Sequence, residues 1–368
     1  MIEFIYFICI FMCIIGSVIE KQIPLFKILL LVLIAYLIGR APETPDTYNY
    51  YFRYINAPFL VGEGSYEEGY DLLQRIGHVF SLDYIEFRYI TSFLAIFLVD
   101  KVVNKLSVRA SYLFLLFYCL FFIFIDTEQI RSYLAFCLVI TGFYYLAFSE
   151  IKTRKIVFVC FVLAASTIHV SMFAYLPLLL ISFKNKRLIV KCVAVVTLFS
   201  CIFIFMFGNN LGFIKSLMEL ATENSDRLSQ YGASKVRFGF LYPVMAHVLS
   251  LSIVLYLNNM RKESDSIHFK NTVELMLIVN LISFIYFPLY MFNLQFFRLG
   301  RGIMMINFVF LSYLIVNSSL KSHRFYFLIF GSFLIQFLLF YYTFFVGEHV
   351  EDIIVPFFNV KNIIDTYG

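Results

Sequence analysis

The chain has 368 residues, of which 61% are hydrophobic, 20% are aromatic and only 14% are charged. This composition excludes a soluble globular domain, because such a domain cannot bury so much apolar surface, and it is typical of a polytopic membrane protein. The net charge of +5 does not indicate nucleic-acid binding, since the Lys and Arg residues are scattered through short loops, as membrane topology demands.

Apolar runs of helical length recur along the whole chain. They lie near residues 2–19, 24–39, 89–99, 110–125, 132–148, 156–168, 170–183, 192–207, 240–257, 272–290, 302–317 and 325–346. The third run is short, and we expect its helix to begin near Ile85. The pattern predicts an all-α polytopic membrane protein with about 10–12 transmembrane helices in a single integral-membrane domain, residues 1–368. The seven cysteines all lie in apolar runs, so neither a disulfide framework nor a metal site is predicted.

Six of the breaks between runs are basic, and basic loops stay on the cytoplasmic side of a membrane. They contain Lys21 and Lys27; Lys101, Lys105 and Arg109; Lys152, Arg154 and Lys155; Lys184, Lys186, Arg187 and Lys191; Arg261, Lys262 and Lys270; Lys321 and Arg324. The other breaks and both termini then lie outside. Two of these outer loops are long, residues 40–88 and 208–239, and the second contains a predicted surface helix over Leu217–Leu228. Long loops on a rigid scaffold often carry binding and catalysis.

The apolar stretch 156–183 contains His169 but no Asp, Glu, Lys or Arg, and a basic loop flanks it on each side. It must therefore leave the cytoplasmic side and return to it, which predicts a short membrane hairpin that turns at residues 166–171. A titratable side chain in such a place is a candidate functional group. The alternative is a histidine that bonds to a neighbouring backbone carbonyl.

Carboxylates alternate with tyrosines in the first long outer loop, where Asp46 precedes Tyr50 and Glu68 precedes Tyr70. Carboxylates accept hydrogen bonds from sugar hydroxyls, and aromatic rings pack against the apolar face of a sugar ring. The pattern therefore fits a sugar site. The alternative is an acidic, solvated loop whose tyrosines only pack.

Arg131 lies at the predicted outer end of the fifth run, where Thr127 is a candidate N-cap. An arginine at a helix N-terminus opposes the helix macrodipole, so a negative group is expected beside it. Asp126 or Glu128 would supply that group, or a bound phosphate would, because helix N-termini and arginine forks both bind phosphate.

Arg298 and Arg301 directly precede the run 302–317, again at a predicted outer face. Gly300 and Gly302 between and beside them would let a ligand approach the backbone closely. A second anion site is one interpretation. The other is that both side chains extend to the membrane interface, as arginines at helix ends commonly do.

The order of these motifs resembles the EpsG family of bacterial exopolysaccharide proteins and the related O-antigen polymerases (Wzy), over about residues 40–310. The resemblance rests on Asp46 and Tyr50, Glu67-Glu68-Gly69-Tyr70, Ile130-Arg131-Ser132-Tyr133-Leu134-Ala135, Ile168-His169-Val170-Ser171 and an arginine-bearing outer loop near the C-terminus. Ser132 departs from the family pattern, which often has Gln there. The sequence contains no nucleotide-binding motif, so neither ATP, a nucleotide sugar nor any other cofactor is expected.

The resemblance implies a membrane glycosyltransferase that polymerises undecaprenyl-diphosphate-linked oligosaccharide repeat units into O-antigen or exopolysaccharide at the outer face of the bacterial inner (plasma) membrane. Its partners would be the lipid-linked glycan, membrane lipid, a chain-length regulator and a flippase. The expected roles are diphosphate binding for Arg131, Arg298 and Arg301, sugar binding for Tyr50 and Tyr70, and proton acceptance for His169. Asp46 or Glu68 would otherwise be the base, with His169 binding phosphate.

Two other classes of function fit a polytopic chain of this kind. A flippase for the same lipid-linked glycan needs cations along a cavity that opens to both faces, whereas the candidate cations here cluster at one predicted face. A membrane acyltransferase that acts on a glycan also uses a histidine, but its paired arginine signature near the N-terminus is not found.

The topology leads to a direct test with reporter fusions. Alkaline phosphatase fused after Ser65 is expected to be active, because the first long loop lies outside the cytoplasm, whereas a fusion after Asn104 is expected to be inactive. Enzyme activity is measured at matched expression levels. The reverse pattern would contradict the assignment of the outer face.

Overall fold

The structure is a computed structural model, and it describes residues 1–21, 23–59, 67–207, 239–263, 265–319, 322–347 and 349–359. Every regular element in these ranges is a helix, and seven of the described helices are long and apolar enough to cross a membrane. The prediction of an all-α polytopic membrane protein is thus confirmed. Residues 208–238, which include the predicted surface helix Leu217–Leu228, lie outside the described ranges.

The helices follow the predicted apolar runs in order. They are α1 (Ile2–Val18), α2 (Pro24–Gly39), α3 (Pro45–Asn56), α4 (Glu68–Val79), α5 (Tyr84–Leu106), α6 (Val108–Glu128), α7 (Ile130–Phe148), α8 (Arg154–Ile168), a 3-10 helix (Val170–Ser182), α9 (Lys186–Phe207), α10 (Leu241–Asn259), α11 (Ile267–Phe292), α12 (Phe297–Val316), α13 (His323–Val346) and α14 (Val355–Phe358). Each of the twelve runs coincides with one helix. Three of these helices, α3, α4 and α14, correspond to none of them.

The chain divides into two compact units, one formed by residues 1–173 and 311–368 and the other by residues 174–310. In the first unit, α2 packs against α5, α1 against α6 and α7 against α8. In the second unit, α10 packs against α11, and α9 packs against α11. The single integral-membrane domain of the sequence-based expectation stays a prediction.

The first long loop of the prediction is largely helical. Within residues 40–88, α3 and α4 fill most of the described positions, and α5 begins at Tyr84, one residue before the predicted start. Asp83 fixes that start through a capping box, in which its side chain accepts from Glu86 N and the Glu86 side chain accepts from Asp83 N. The sequence did not reveal these two helices, because α3 and α4 are short and rich in polar residues, so no apolar run marks them.

A fully buried arginine, Arg88 in α5, joins three helix ends of the first unit. Its guanidinium donates to Ile38 O at 2.9 Å, to Thr127 O at 2.5 Å and to Tyr84 Oη at 3.2 Å. Charge-assisted bonds of this kind are needed because a buried cation without partners is costly. The ends of α2, α5 and α6 therefore meet at one place, directly before α7 begins.

Helix α6 contains a π-helical turn at Tyr118–Phe122. Such turns leave backbone carbonyls without their usual intrahelical partners. Side chains from two other helices satisfy them, since Gln336 Nε2 donates to Phe117 O at 2.8 Å and Tyr6 Oη donates to Cys119 O at 3.1 Å. Helices α1 and α13 thereby hold the π turn in place.

Polar side chains also join helices inside the second unit. Asn280 Nδ2 donates to Asn307 Oδ1 at 2.9 Å, and Asn307 Nδ2 donates to Ser250 Oγ at 2.8 Å. All three residues are buried. Hydrogen bonds between buried amides and hydroxyls are a common way in which membrane helices associate, and here they connect α10, α11 and α12.

Lys27 was predicted to lie in a basic loop. In the structure it lies in the first turn of α2 and is buried. Its Nζ lies 2.7 Å from Asp100 Oδ1 and donates to Ser111 Oγ at 2.8 Å, and it stands 3.6 Å from the centre of the Tyr112 ring. Ser111 in turn donates to the Asp100 carboxylate. This ion pair therefore connects α2, α5 and α6 at the ends opposite to Arg88.

The buried pair leads to a stability prediction. Replacing Lys27 by Met leaves the Asp100 carboxylate buried without its cation, which is expected to cost roughly 3–5 kcal/mol of unfolding free energy. Lys27→Met combined with Asp100→Leu should recover most of that loss, because both charges are then gone. Denaturation in detergent measures the unfolding free energies of the wild type, of Lys27→Met and of the double variant.

The matched control is Lys21→Met, since Lys21 is exposed and its removal should change stability by less than about 0.5 kcal/mol. Equal losses of unfolding free energy for Lys27→Met and Lys21→Met would contradict the buried Lys27–Asp100 ion pair.

Candidate active site

The N-terminus of α4 comes very close to the C-terminus of α8, and a glycine permits the approach. A Cβ atom at Gly69 would stand 2.7 Å from Thr167 Cβ and 2.9 Å from the Thr167 carbonyl carbon. Neither atom is the free end of a flexible side chain, so only glycine fits between the two helices. The close packing places Glu67, two residues earlier, beside the residue that ends α8.

That residue is His169, and Glu67 joins it to Arg131. The Glu67 carboxylate pairs through Oε2 with Arg131 Nη1, and its Oε1 lies 2.9 Å from His169 Nδ1. Each of the three side chains is about 15% exposed or less, so water reaches the group only in part. One carboxylate therefore connects α4, the first turn of α7 and the residue that follows α8.

The arginine of α3 approaches the same carboxylate. Arg53 Nη1 lies 3.8 Å from Glu67 Oε2, and Arg53 also holds Asp71 through Nε at 2.8 Å and through Nη2 at 2.7 Å. Both nitrogens contact the same oxygen, Oδ1, so the Nε–Nη2 edge of the guanidinium faces Asp71. Arg53, Glu67 and Asp71 thus tie α3 to α4. None of the three was selected from the sequence as a site residue.

Two tyrosines form an aromatic wall at Arg131. The guanidinium carbon lies 4.8 Å from the centre of the Tyr50 ring and 5.9 Å from the centre of the Tyr70 ring, and the two rings meet edge to face. Both tyrosines are buried. Burial raises the pKa of the Tyr70 phenol well above its ordinary value, so this hydroxyl keeps its proton and remains a donor.

Three buried polar groups in and beside this wall have no hydrogen-bond partner among the described residues. They are Tyr70 Oη, both side-chain atoms of the Gln74 amide, and Arg131 Nε. Tyr70 and Gln74 are four residues apart and lie on one face of α4. Buried polar groups are nearly always satisfied, and these atoms are donors and acceptors that a bound polar ligand could use.

The acidic residue that contacts the histidine is not the one selected from the sequence. The sequence pointed to Glu68, whose side chain is exposed, whereas Glu67 makes the contacts to His169 and Arg131. Neighbouring residues at a helix start differ by about 100° in direction, so only one of them faces inward. Asp46 lies in the first turn of α3 and is half-buried, one turn before Tyr50 on the same helix face.

The surroundings of Arg131 also differ from the expectation. Thr127 belongs to the last turn of α6, because its Oγ1 donates back to Ile123 O at 2.7 Å, and it does not cap α7. Helix α7 begins at Ile130 without a side-chain cap. The acidic group paired with Arg131 comes from α4, far away in sequence. Local spacing around residues 126–131 therefore gave no means of finding it.

Arg298 and Arg301 belong to the second unit and lie within α12, whose first residue is Phe297, so they are not in a loop. Arg301 is buried and Arg298 is half-buried. Gly300 does not face open space, because a Cβ there would stand 2.5 Å from Tyr290 Oη and 3.0 Å from His247 Nε2. The glycine serves helix packing in this unit, which corrects the expectation that it leaves room for a ligand.

Comparison with known proteins identifies a family for the chain. Residues 23–359 match the model of the EpsG family, which is nearly the whole length. A search of curated proteins and a search of solved structures each find no match.

The site geometry leads to a prediction with two neighbouring carboxylates. Glu67→Gln leaves the charge of Arg131 without its counterion, and it is expected to lower the unfolding free energy by about 1–3 kcal/mol. Glu68→Gln, at an exposed position one residue away, should change it by less than about 0.5 kcal/mol. Thermal denaturation in detergent measures both variants. Equal effects would contradict the placement of Glu67.

Proposed function

The chain belongs to the EpsG family, whose members are Wzy-like polysaccharide polymerases of the membrane, and on that premise we propose its reaction. The protein extends a glycan that is carried on undecaprenyl diphosphate, at the outer face of the bacterial plasma membrane. The donor is the growing glycan on its lipid diphosphate. The acceptor is a single lipid-linked repeat unit.

The observation that carries the proposal is the group formed by Glu67, His169 and Arg131. It combines a histidine oriented by a carboxylate with an arginine on the other oxygen of that carboxylate. Transfer of a glycosyl group from a diphosphate needs a proton acceptor at the attacking hydroxyl and positive charge at the leaving diphosphate. His169 would supply the proton acceptor and Arg131 the positive charge, and both side chains contact the Glu67 carboxylate.

Within the proposal, His169 is the base. Its Nδ1 donates to Glu67, which fixes the tautomer and leaves Nε2 as the basic nitrogen, as the aspartate of a serine-protease triad does for its histidine. The acceptor hydroxyl gives its proton to Nε2 while its oxygen attacks the anomeric carbon of the donor. A new glycosidic bond forms as the bond from that carbon to the diphosphate oxygen breaks.

Arg131 stabilises the diphosphate that leaves. Glu67 occupies only its Nη1 side, and the buried Nε is available to a phosphate oxygen. An arginine is suited to this role because it presents several donors in a fixed plane. Arg298 and Arg301 remain proposed diphosphate ligands.

The aromatic wall provides the sugar subsite in this proposal. Tyr50 and Tyr70 offer ring faces to the apolar side of a sugar, and the Tyr70 hydroxyl and the Gln74 amide offer hydrogen bonds that the described protein does not use. Asp46, one turn before Tyr50, is proposed to accept a hydrogen bond from a sugar hydroxyl. The exposed Glu68 is not favoured as the base, because Glu67 is the carboxylate that faces His169.

Variants in cells that assemble the polymer test the reaction. Arg131→Ala is expected to lower the polymerisation rate about 10²–10³-fold, because a preorganised charge in a partly buried site is lost. Arg131→Lys should restore only part of it, since an ammonium has no bidentate fork. His169→Gln should abolish polymer at normal protein levels. The matched controls are Arg154→Ala, at the opposite end of α8, and His268→Gln, which is exposed.

The readout also separates a polymerase from a flippase. In the inactive variants, lipid-linked single repeats should accumulate where membrane-impermeant periodate can oxidise them, because translocation continues. Single repeats that are protected from periodate would show that translocation was lost, which contradicts a polymerase. Normal polymer in His169→Gln, together with failure in His169→Leu, would assign the histidine to packing and hydrogen bonding, and the proposed base would be wrong.

A further inference from the structure

Helices α3 and α4 each expose a stripe of apolar side chains. On α3 and the turn after it, the stripe runs through Tyr48, Phe52, Ile55 and Phe59. On α4 and its C-cap residue, it runs through Leu72, Ile76, Val79 and Phe80. Phe52 is 60% exposed, Phe59 84% and Val79 81%. Spacings of three and four residues place Tyr48, Phe52 and Ile55 on one side of α3, and Leu72, Ile76 and Val79 on one side of α4.

Each stripe lies opposite to the face that packs into the protein. On α3 the buried residues include Thr47, Tyr50 and Tyr54, which are offset by about half a turn from Phe52. On α4 the buried residues are Tyr70, Gln74 and Gly77. The charged side chains Arg53 and Asp71 pair with each other between the two helices. The helices are thus amphipathic, and their apolar side chains are exposed on the side that faces away from the described protein.

The chain connections keep both helices close to the membrane. Five residues separate α2 from α3, and four separate α4 from α5. An extended chain covers at most about 3.5 Å per residue, so each helix begins or ends within about 20 Å of an apolar helix that is predicted to span. In addition, α3 packs against the C-terminal part of α6, and α4 packs against α8.

We infer that α3 and α4 lie in the outer membrane–water interface, with the stripes Tyr48–Phe59 and Leu72–Phe80 immersed among the lipids. A lipid surface is the occupant that fits, because the stripes are rich in aromatic and branched apolar side chains and adjoin membrane helices. The eight stripe residues are all uncharged, and Arg75 lies at the edge of the α4 stripe, three residues after Leu72 and four before Val79. Their insertion is therefore apolar and needs no anionic lipid.

The inference stands apart from the proposed reaction, although it has a consequence for it. Opposite faces of α3 and α4 carry the stripes and the residues of the candidate site. If the proposed function holds, the immersed helices keep Glu67 and Arg53 at the depth of lipid headgroups, which is where a lipid-linked diphosphate lies.

The chain contains no tryptophan, so a single introduced tryptophan is a unique fluorescent probe. Phe52→Trp and Val79→Trp place it on the two stripes. Phe199→Trp, on the exposed apolar face of α9, is the lipid-facing control, and Lys152→Trp, in the loop before α8, is the water-facing control. Each full-length protein is reconstituted into zwitterionic bilayers, and quenching is measured with iodide and with lipids brominated near the headgroup end of the acyl chain.

We expect the brominated lipid to quench Phe52→Trp and Val79→Trp at least about threefold more strongly than Lys152→Trp, with correspondingly weaker iodide quenching, because the stripes lie at shallow membrane depth. Raising the salt concentration should leave the quenching by brominated lipid unchanged. Quenching by iodide alone would place the stripes in water and overturn the inference. If neither quencher reaches the introduced tryptophans, protein covers the stripes and the inference is overturned. A loss of lipid quenching at high salt would overturn it as well. No substrate is present, so the result does not depend on the polymerase reaction.

Discussion

The Glu67 carboxylate is the contact on which the candidate site depends. It holds the guanidinium of Arg131 on one oxygen and the imidazole of His169 on the other, with Arg53 further out. Removing Glu67 or Arg131 leaves the partly buried charge of the other without its counterion, which is costly where water is scarce. The α3–α4 segment, the start of α7 and the end of α8 are therefore coupled through one side chain, and only because Gly69 allows α4 to approach.

Much of the fold was predictable from the sequence, since each apolar run became a helix and α8 ends at Ile168, directly before His169. A bilayer permits few alternatives to helices for spanning segments, so apolar runs alone determine them. Helices α3 and α4 were missed because their residues alternate between polar, aromatic and charged types. Their stability comes from tertiary contacts such as the stacking of Tyr54 on His78 at 4.4 Å, which no local pattern reveals.

The site was predictable only in part, and the reason is geometric. Sequence reasoning selected Arg131, His169, Tyr50 and Tyr70 from their residue types and their predicted side, and the structure brings these four into one region of the first unit. It named Glu68 in place of Glu67, because adjacent carboxylates are equivalent until the packing of the helix is known. Arg53 and Asp71 were overlooked because ion pairs between helices leave no fixed spacing in a sequence.

The same two helices link the charged group to the apolar surface, and that arrangement limits how the site can form. Arg53 and Asp71 lie between α3 and α4, whereas their sequence neighbours Phe52 and Leu72 are more than half exposed. A rotation of α4 that turned Leu72 inward would also break the pairing of Arg53 with Asp71 and withdraw Glu67 from Arg131. One orientation of α4 therefore determines both which apolar side chains are exposed and where the Glu67 carboxylate lies.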